Sequence, residues 1–193
     1  MRCIIPARGG STRIPGKNMK VFLGQPIIQY SINHAKAVGL FQEIIVSTDD
    51  TDTAAYAARQ GCVVHYRGET FAADDVGTQI VAANVITDMG IQPGEVICVL
   101  YATSPLLDID YLRQGMYELH HNPNIKYTYS TGMDGVDAGN FYWGDAESFL
   151  KQIPLEGNSE HIAMQPNRVC DINTQADWDF ALKMYEDLRN ANA

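Results

Sequence analysis

With 193 residues the chain has room for one domain with a sizeable core and too few for two ordinary ones. Hydrophobic residues make up 46% and charged ones 19%, a globular balance that excludes a disordered chain, and no apolar run approaches a bilayer span. The formal net charge is -9, but the first 42 residues hold six Lys or Arg and no acid, against eight basic and 23 acidic side chains in the rest. A small cationic site in an anionic body suits a compact polyanion such as a nucleoside triphosphate, and neither a nucleic-acid duplex nor a membrane surface.

In chain order, Arg2 to Pro6 reads as a strand that enters the core with no signal-peptide pattern, so a soluble, cytoplasmic protein is expected. A helix over 26–38 stops at Gly39, a buried strand covers 43–48, and Asp49 with Asp50 stands at its end as helix-start carboxylates. Then come a helix over 51–60, a strand over 62–66, a helix over 78–89 and the most apolar strand, 95–100, which runs into the turn Tyr101-Ala102-Thr103-Ser104-Pro105. Further on, a helix over 108–121, strands over 125–130 and 140–143, a short helix over 145–151 and a last strand over 168–172 are expected. Thr174, with Asp177 three residues on, starts the final helix to 189. This alternation predicts a three-layer α/β/α fold with a Rossmann-like, mostly parallel sheet. Ligands of such sheets bind beyond the carboxyl ends of the strands, which gathers the loop after the first strand, Asp49-Asp50, the Thr103-Ser104-Pro105 turn and Asp171 along one edge.

The loop Ala7-Arg8-Gly9-Gly10-Ser11-Thr12-Arg13-Ile14-Pro15-Gly16-Lys17-Asn18 has the makings of a phosphate cradle. Glycines let backbone N–H groups approach a ligand, and Arg8, Arg13, Lys17 and Lys20 supply charged donors. It is neither of the two common phosphate loops. G-x-G-x-x-G is absent, and Walker A requires four residues before G-K-[ST], whereas five separate Gly10 from Gly16 and Asn18 replaces the hydroxyl. The cysteines, Cys3, Cys62, Cys98 and Cys170, are dispersed and read as reduced core residues. His34 and His65 lack a partner at metal-ligand spacing.

Ile5-Pro6-Ala7-Arg8-Gly9-Gly10-Ser11, Arg13-Ile14-Pro15, Lys17-Asn18 and Ile45-Val46-Ser47-Thr48-Asp49-Asp50 resemble the acylneuraminate cytidylyltransferase family from end to end. Tyr101-Ala102-Thr103-Ser104-Pro105, Asp137-Ala138-Gly139-Asn140-Phe141-Tyr142-Trp143-Gly144 and Asp171-Ile172-Asn173-Thr174 are most similar to its pseudaminic acid branch. The resemblance implies a sheet of the nucleotide-diphospho-sugar transferase type. It also implies attack of a nonulosonic acid's anomeric hydroxyl on the α-phosphate of CTP, with pyrophosphate leaving.

By the same resemblance Arg8 and Lys17 hold the triphosphate beside Gly9, Ser11 and Asn18, Pro6 and Ala7 border the cytosine, and Arg67 and Thr78 line the nucleotide pocket. Tyr101, Thr103, Asp137 and Tyr142 match positions near the sugar, and Asp171 joins Arg8 and Lys17 as a catalytic candidate. Read without the family, Arg67 is an ordinary surface arginine and Tyr142 a core aromatic. Asp171 and Asn173, two apart on an extended segment, face the same way and can share one Mg²⁺, or can belong to the cap of the last helix.

Three departures stand out. Thr12 occupies a position where the family has lysine, which Arg13 could cover, and Asn173 replaces the second aspartate of a D-x-D pair. Only Thr131 to Val136 lie between Ser130 and Asp137, where the family carries a few tens of residues, including an arm that reaches a partner subunit and closes over the sugar. The resemblance also implies a homodimer, to which that arm contributes in the family. The alternatives are a non-catalytic nucleotide-binding relative, or the same chemistry on neuraminic, legionaminic or 3-deoxy-manno-octulosonic acid.

Overall fold

The apolar run Arg2–Pro6 forms β1, from which the sheet grows in both directions. In this computed structural model, which describes residues 1–73 and 76–191, it is followed by a two-strand ribbon, β2 (Val21–Phe22) and β3 (Gln25–Pro26). Next come α1 (Ile28–Val38), β4 (Glu43–Thr48), α2 (Thr51–Arg59), β5 (Val63–Tyr66), the short α3 (Glu69–Ala72) and α4 (Thr78–Asp88). The second half contains β6 (Val96–Leu100), α5 (Ile109–His121), β7 (Tyr127–Thr131), β8 (Asp137–Asp145), α6 (Ala146–Leu150), β9 (Ser159–Ala163) and α7 (Gln175–Ala191).

One seven-stranded sheet has the order β5-β4-β1-β6-β8-β7-β9. The pairs β5–β4, β4–β1, β1–β6 and β7–β9 are parallel, and β8 alone runs against its neighbours, β6 and β7. The inner strands are apolar on both sides because helices cover both. Cys3, Ile5, Val46, Cys98 and Leu100 pack with Ile28 and Ile32 of α1, Ala57 of α2 and Leu112 of α5. Ile4, Ile45, Ile97 and Val99 pack with Ala82, Val85 and Ile86 of α4 and Phe149 of α6. These are the three layers expected. All four cysteines are free, and Cys3, Cys62 and Cys98 are buried.

Most expected elements appear within a residue or two, with informative differences. The helix expected from residue 26 starts at Ile28, because Pro26 is paired with Val21 in the ribbon. No strand forms over 168–172. Pro166 opens a 3₁₀ turn, Pro166–Arg168, and the chain continues irregularly, while the strand that closes the sheet is β9. An edge strand of which only Ile162 is buried shows no apolar run to read. Between β7 and β8 the chain makes a closed hairpin. Gly132 N–H donates to the Val136 carbonyl at 2.8 Å, and Val136 N–H to Asp134 Oδ1 at 3.1 Å, so the short connection is a finished turn.

His34 on α1 has a buried Nδ1 without a hydrogen-bond partner among the described residues. Burial pulls its pKa from 6.5 down to about 4, only partly opposed by Asp108, which is paired with Arg168 at 3.4 Å. The unfolded chain therefore takes up this proton first. The His34 contribution to stability is intact above pH 6.5 and is lost as the pH falls toward about 4. Urea unfolding at about pH 7.5 and about pH 5 should show a loss on acidification that is about 1–2 kcal/mol smaller for His34→Gln than for the parent chain.

Candidate functional site

Several side chains hold the loop after β1 in place. Asp49, at the end of β4, accepts the Gly9 N–H through Oδ1 at 2.8 Å. Asp50 caps α2 by accepting from the Thr53 N–H at 2.8 Å and its hydroxyl at 2.6 Å. A Cβ on Gly9 would lie 2.8 Å from Asp50 Cβ, so only glycine lets the loop lie against the start of α2. Asn18 Nδ2 donates to the Arg8 carbonyl at 2.8 Å. Ile14 is buried in a separate small core with Phe22, Ile27, Tyr30, Trp178 and Ala181, which fastens the loop to α1, the β2–β3 ribbon and α7.

Between this loop and the strand ends lies a cleft of about 440 Å³. Arg8, Arg13, Lys17 and Arg67 line it, together with Pro6, Ser11, Thr12, Asn18, Val76, Thr78, Val81, Tyr101, Ala102, Thr103 and Asn173. Among the described residues that line it there is no carboxylate. Lys17 Nζ donates to the Ile172 carbonyl at 2.7 Å. Burial lowers the Lys17 pKa, Arg8 and Arg13 add to the effect, and Asp171 opposes it. An anion bound here would therefore relieve a crowd of like charges. Arg67 is 6% exposed, and burial brings its pKa down to about 10 with Asp49 opposing, so it stays charged at neutral pH. It donates through Nη2 to the Ser47 carbonyl at 2.6 Å and through Nη1 to the Phe71 carbonyl at 3.4 Å. Lys20 turns away: its Nζ sits 4.6 Å over the Trp178 ring and donates to Gln175 Oε1 at 2.6 Å.

The far wall carries hydroxyls. Thr78 Oγ1 and Tyr101 OH are 2.8 Å apart, and Tyr101 leans on Tyr142 with ring centroids 5.9 Å apart. Tyr142 OH donates to Asp137. Burial raises the pKa of both phenols, that of Tyr142 far above its ordinary value, so both remain proton donors. Ser31 of α1 donates to the Tyr101 carbonyl at 2.7 Å and steadies the turn after β6. Gly139, at φ 59°, approaches this wall. A Cβ there would stand 3.4 Å from the Asp171 carboxyl carbon and 3.5 Å from Tyr101.

Asp171 and Asn173 meet although their segment is no strand: Asn173 Nδ2 donates to Asp171 Oδ2 at 2.5 Å, and Asn173 Oδ1 accepts from Arg13 Nη2 at 3.0 Å. The helix cap is a separate set of contacts. Asp177 Oδ2 accepts from the N–H groups of Asn173 and Thr174 at 3.0 and 2.6 Å, which leaves the Asp171 and Asn173 side chains out of the cap.

A profile described as "Cytidylyltransferase" matches residues 2–144. The chain belongs to the cytidylyltransferase family. It is 32% identical to the pseudaminic acid cytidylyltransferase of Campylobacter jejuni, over 95% of each chain, in an alignment of 221 positions, longer than this chain, so that relative has residues with no counterpart here. In fold it is similar to a CMP:2-keto-3-deoxy-manno-octonic acid synthetase solved with CTP, at a TM-score of 0.78 and 14% identity over 96% of this chain and 98% of that one. It is also similar to a Mycobacterium tuberculosis protein solved with manganese, at a TM-score of 0.69 and 16% identity over 94% and 97%. The sheet is thus that of the nucleotide-diphospho-sugar transferases.

In this member of the family the cleft brings together Pro6, Arg8, Ser11, Lys17, Asn18, Arg67, Thr78, Tyr101 and Thr103 of the residues singled out from sequence, with Asn173. Ala7 is buried, with its N–H on the Ser47 carbonyl, and the Gly9 N–H is committed to Asp49, so neither lines the cleft. Asp137 faces a second hollow and is bound by the Tyr142 hydroxyl, and Asp171 lies beside Gly139 and Asn173 without lining the cleft. Sequence reasoning missed Val81, one helical turn after Thr78, and the brace supplied by Asp49, which two consecutive acids at a strand end could have signalled, since one suffices as a cap. Trp178→Ala should remove about 3 kcal/mol of stability by hollowing the small core under the loop. Urea denaturation measures this, and an unchanged midpoint would mean the loop is anchored elsewhere.

Proposed function

We propose that this chain joins CMP from CTP to the anomeric hydroxyl of a nonulosonic acid, pseudaminic acid in the first place, with release of pyrophosphate. The observation that carries the reading is the convergence of Arg8, Arg13, Lys17 and Arg67 on one cleft in a member of the cytidylyltransferase family. The Campylobacter jejuni relative supports the choice of sugar, and the CTP in the synthetase of like fold supports the choice of nucleotide.

In-line transfer asks the protein for positioning and charge neutralisation more than for covalent chemistry. Arg8, Lys17 and Arg67 hold the triphosphate and favour the charge that builds on the departing pyrophosphate. Arg13, tied to Asn173, stands in for the cation absent at Thr12. Thr78, Tyr101 and Thr103 offer hydroxyls at the wall facing the loop, and Asp137 with Tyr142 offers a polar end for the sugar.

No group of three or more His, Cys, Asp or Glu gathers among the described residues. Asp171 brings a carboxylate, and Asn173, whose amide oxygen meets Arg13 and whose nitrogen meets Asp171, brings a second hard oxygen donor once that amide turns over, a pair that fits a cation taking its other ligands from phosphate and water. Asp171 and Asn173 would hold Mg²⁺, which when bound supplies further positive charge to the phosphates. The manganese in the Mycobacterium tuberculosis structure supports a divalent ion.

The test is pyrophosphate release from CTP and Mg²⁺ with pseudaminic, legionaminic, neuraminic and 3-deoxy-manno-octulosonic acids in turn. Pseudaminic acid should be turned over fastest. Protection by CTP against thermal unfolding with no pyrophosphate from any sugar would point to a nucleotide-binding relative without activity. Lys17→Ala should cut turnover at least about a hundredfold while circular dichroism stays unchanged. Asn173→Asp adds a negative charge beside Asp171 and should lower the Mg²⁺ concentration for half-maximal rate. Mg²⁺ binding followed by calorimetry should tighten in step, and an unchanged requirement would remove this position from the metal site.

A further inference from the structure

Arg67 is held by a line of side chains that leads away from the cleft. Its Nε donates to Ser47 Oγ at 3.2 Å, Ser47 Oγ lies 3.0 Å from His65 Nδ1, and His65 Nε2 lies 3.0 Å from Asp88 Oδ2. Ser47 and His65 are buried. Asp88, at the end of α4, has a side chain 52% exposed and also accepts from Asn84 Nδ2 at 2.9 Å.

Serine, histidine and aspartate in a row suggest a nucleophile, but this row is closed to substrate. Ser47 is fully buried, meets the histidine at Nδ1, and already receives Arg67. The direction of the bonds gives it another use. Arginine has only donors, so Ser47 Oγ must accept from Nε. The serine proton then goes to His65 Nδ1, and the imidazole Nε2–H goes to Asp88, so every member of the row is partnered.

We propose that His65, anchored by Asp88, is a positioning residue for nucleotide binding. Through Ser47 it fixes the plane of the Arg67 guanidinium at the cleft, so that the nucleotide meets an arginine already in place. With the Ser47 carbonyl and the Phe71 carbonyl taking one N–H each from Nη2 and Nη1, the row supplies the third restraint on an otherwise rotamer-rich side chain. The inference rests on the nucleotide-binding reading above.

The experiment measures CTP affinity by calorimetry, and KM and kcat with the sugar that the parent enzyme turns over, in full-length variants checked for folding. Arg67→Met is the reference and should bind CTP weakly. His65→Leu should weaken CTP binding about fivefold to tenfold and raise KM for CTP alike, with kcat at saturating CTP within about twofold of the parent. His65→Gln should recover most of the loss, since an amide can accept from Ser47 and donate to Asp88. Asp88→Leu, at a half-exposed position where a substitution disturbs packing less than at buried His65, should weaken binding about twofold to threefold and decides the matter if His65→Leu does not fold. Parent-like CTP affinity in the folded His65→Leu and Asp88→Leu variants, with Arg67→Met weakened, would overturn the positioning role alone. Absence of CTP binding by the parent chain would overturn the nucleotide reading and this inference with it.

Discussion

Two cations of the cleft, Lys17 and Arg67, are held in place by carbonyl oxygens, and the rest of the site depends on this. Lys17 donates to the Ile172 carbonyl and Arg67 to the carbonyls of Ser47 and Phe71. A carbonyl orients a cation without cancelling its charge, whereas a carboxylate would do both. Burial and mutual repulsion then leave these side chains in a state that an anion improves, as the lowered pKa of Lys17 and Arg67 records. Among the described residues nearby, Asp49 is spent on Gly9, Asp50 on α2 and Asp177 on α7, and Asp171 meets Asn173 beside Gly139.

Holding like charges together costs energy that the packing must offset. The parallel half of the sheet provides a rigid edge, with β1, β4, β5 and β6 ending side by side. The small aromatic core of Phe22, Tyr30 and Trp178, with Tyr185 against it, then fixes the far end of the loop through Ile14. Lys20 belongs to that fastening. Its charge rests on the Trp178 ring, so one basic residue of the loop serves the fold while its neighbours face the cleft.

Two departures from the family pattern, seen separately in sequence, prove to be joined. Asn173 accepts from Arg13 with its carbonyl and donates to Asp171 with its amide nitrogen. An aspartate could do only the first, and would repel Asp171 without a cation between them. Arg13, the residue after Thr12, is thereby held against Asn173. The short link after β7, the third departure, closes as a tight hairpin beyond the pair Thr131 and Asp137, which the β7–β8 ladder reaches after a shift of register past Tyr129.

The sequence by itself determined the three-layer sheet, the glycine-rich basic loop after the first strand and the start of the last helix. Each is written in local signals: period, glycine spacing, and a threonine with an acid three residues on. It was silent on β9, whose place at the sheet edge requires almost no apolar residues. Read without the family, it also offered Arg67 as a surface residue, because the burial of a cation depends on partners 20 residues away at Ser47 and 18 residues from there at His65. Only the tertiary structure decided which donors face the cleft. Gly9 and Lys20 sit in the same basic loop as Arg8 and Lys17, yet Asp49 and Trp178, brought in from distant segments, turn them to structural use. The direction in which a side chain is spent is set by what packs against it, and no local pattern carries that information.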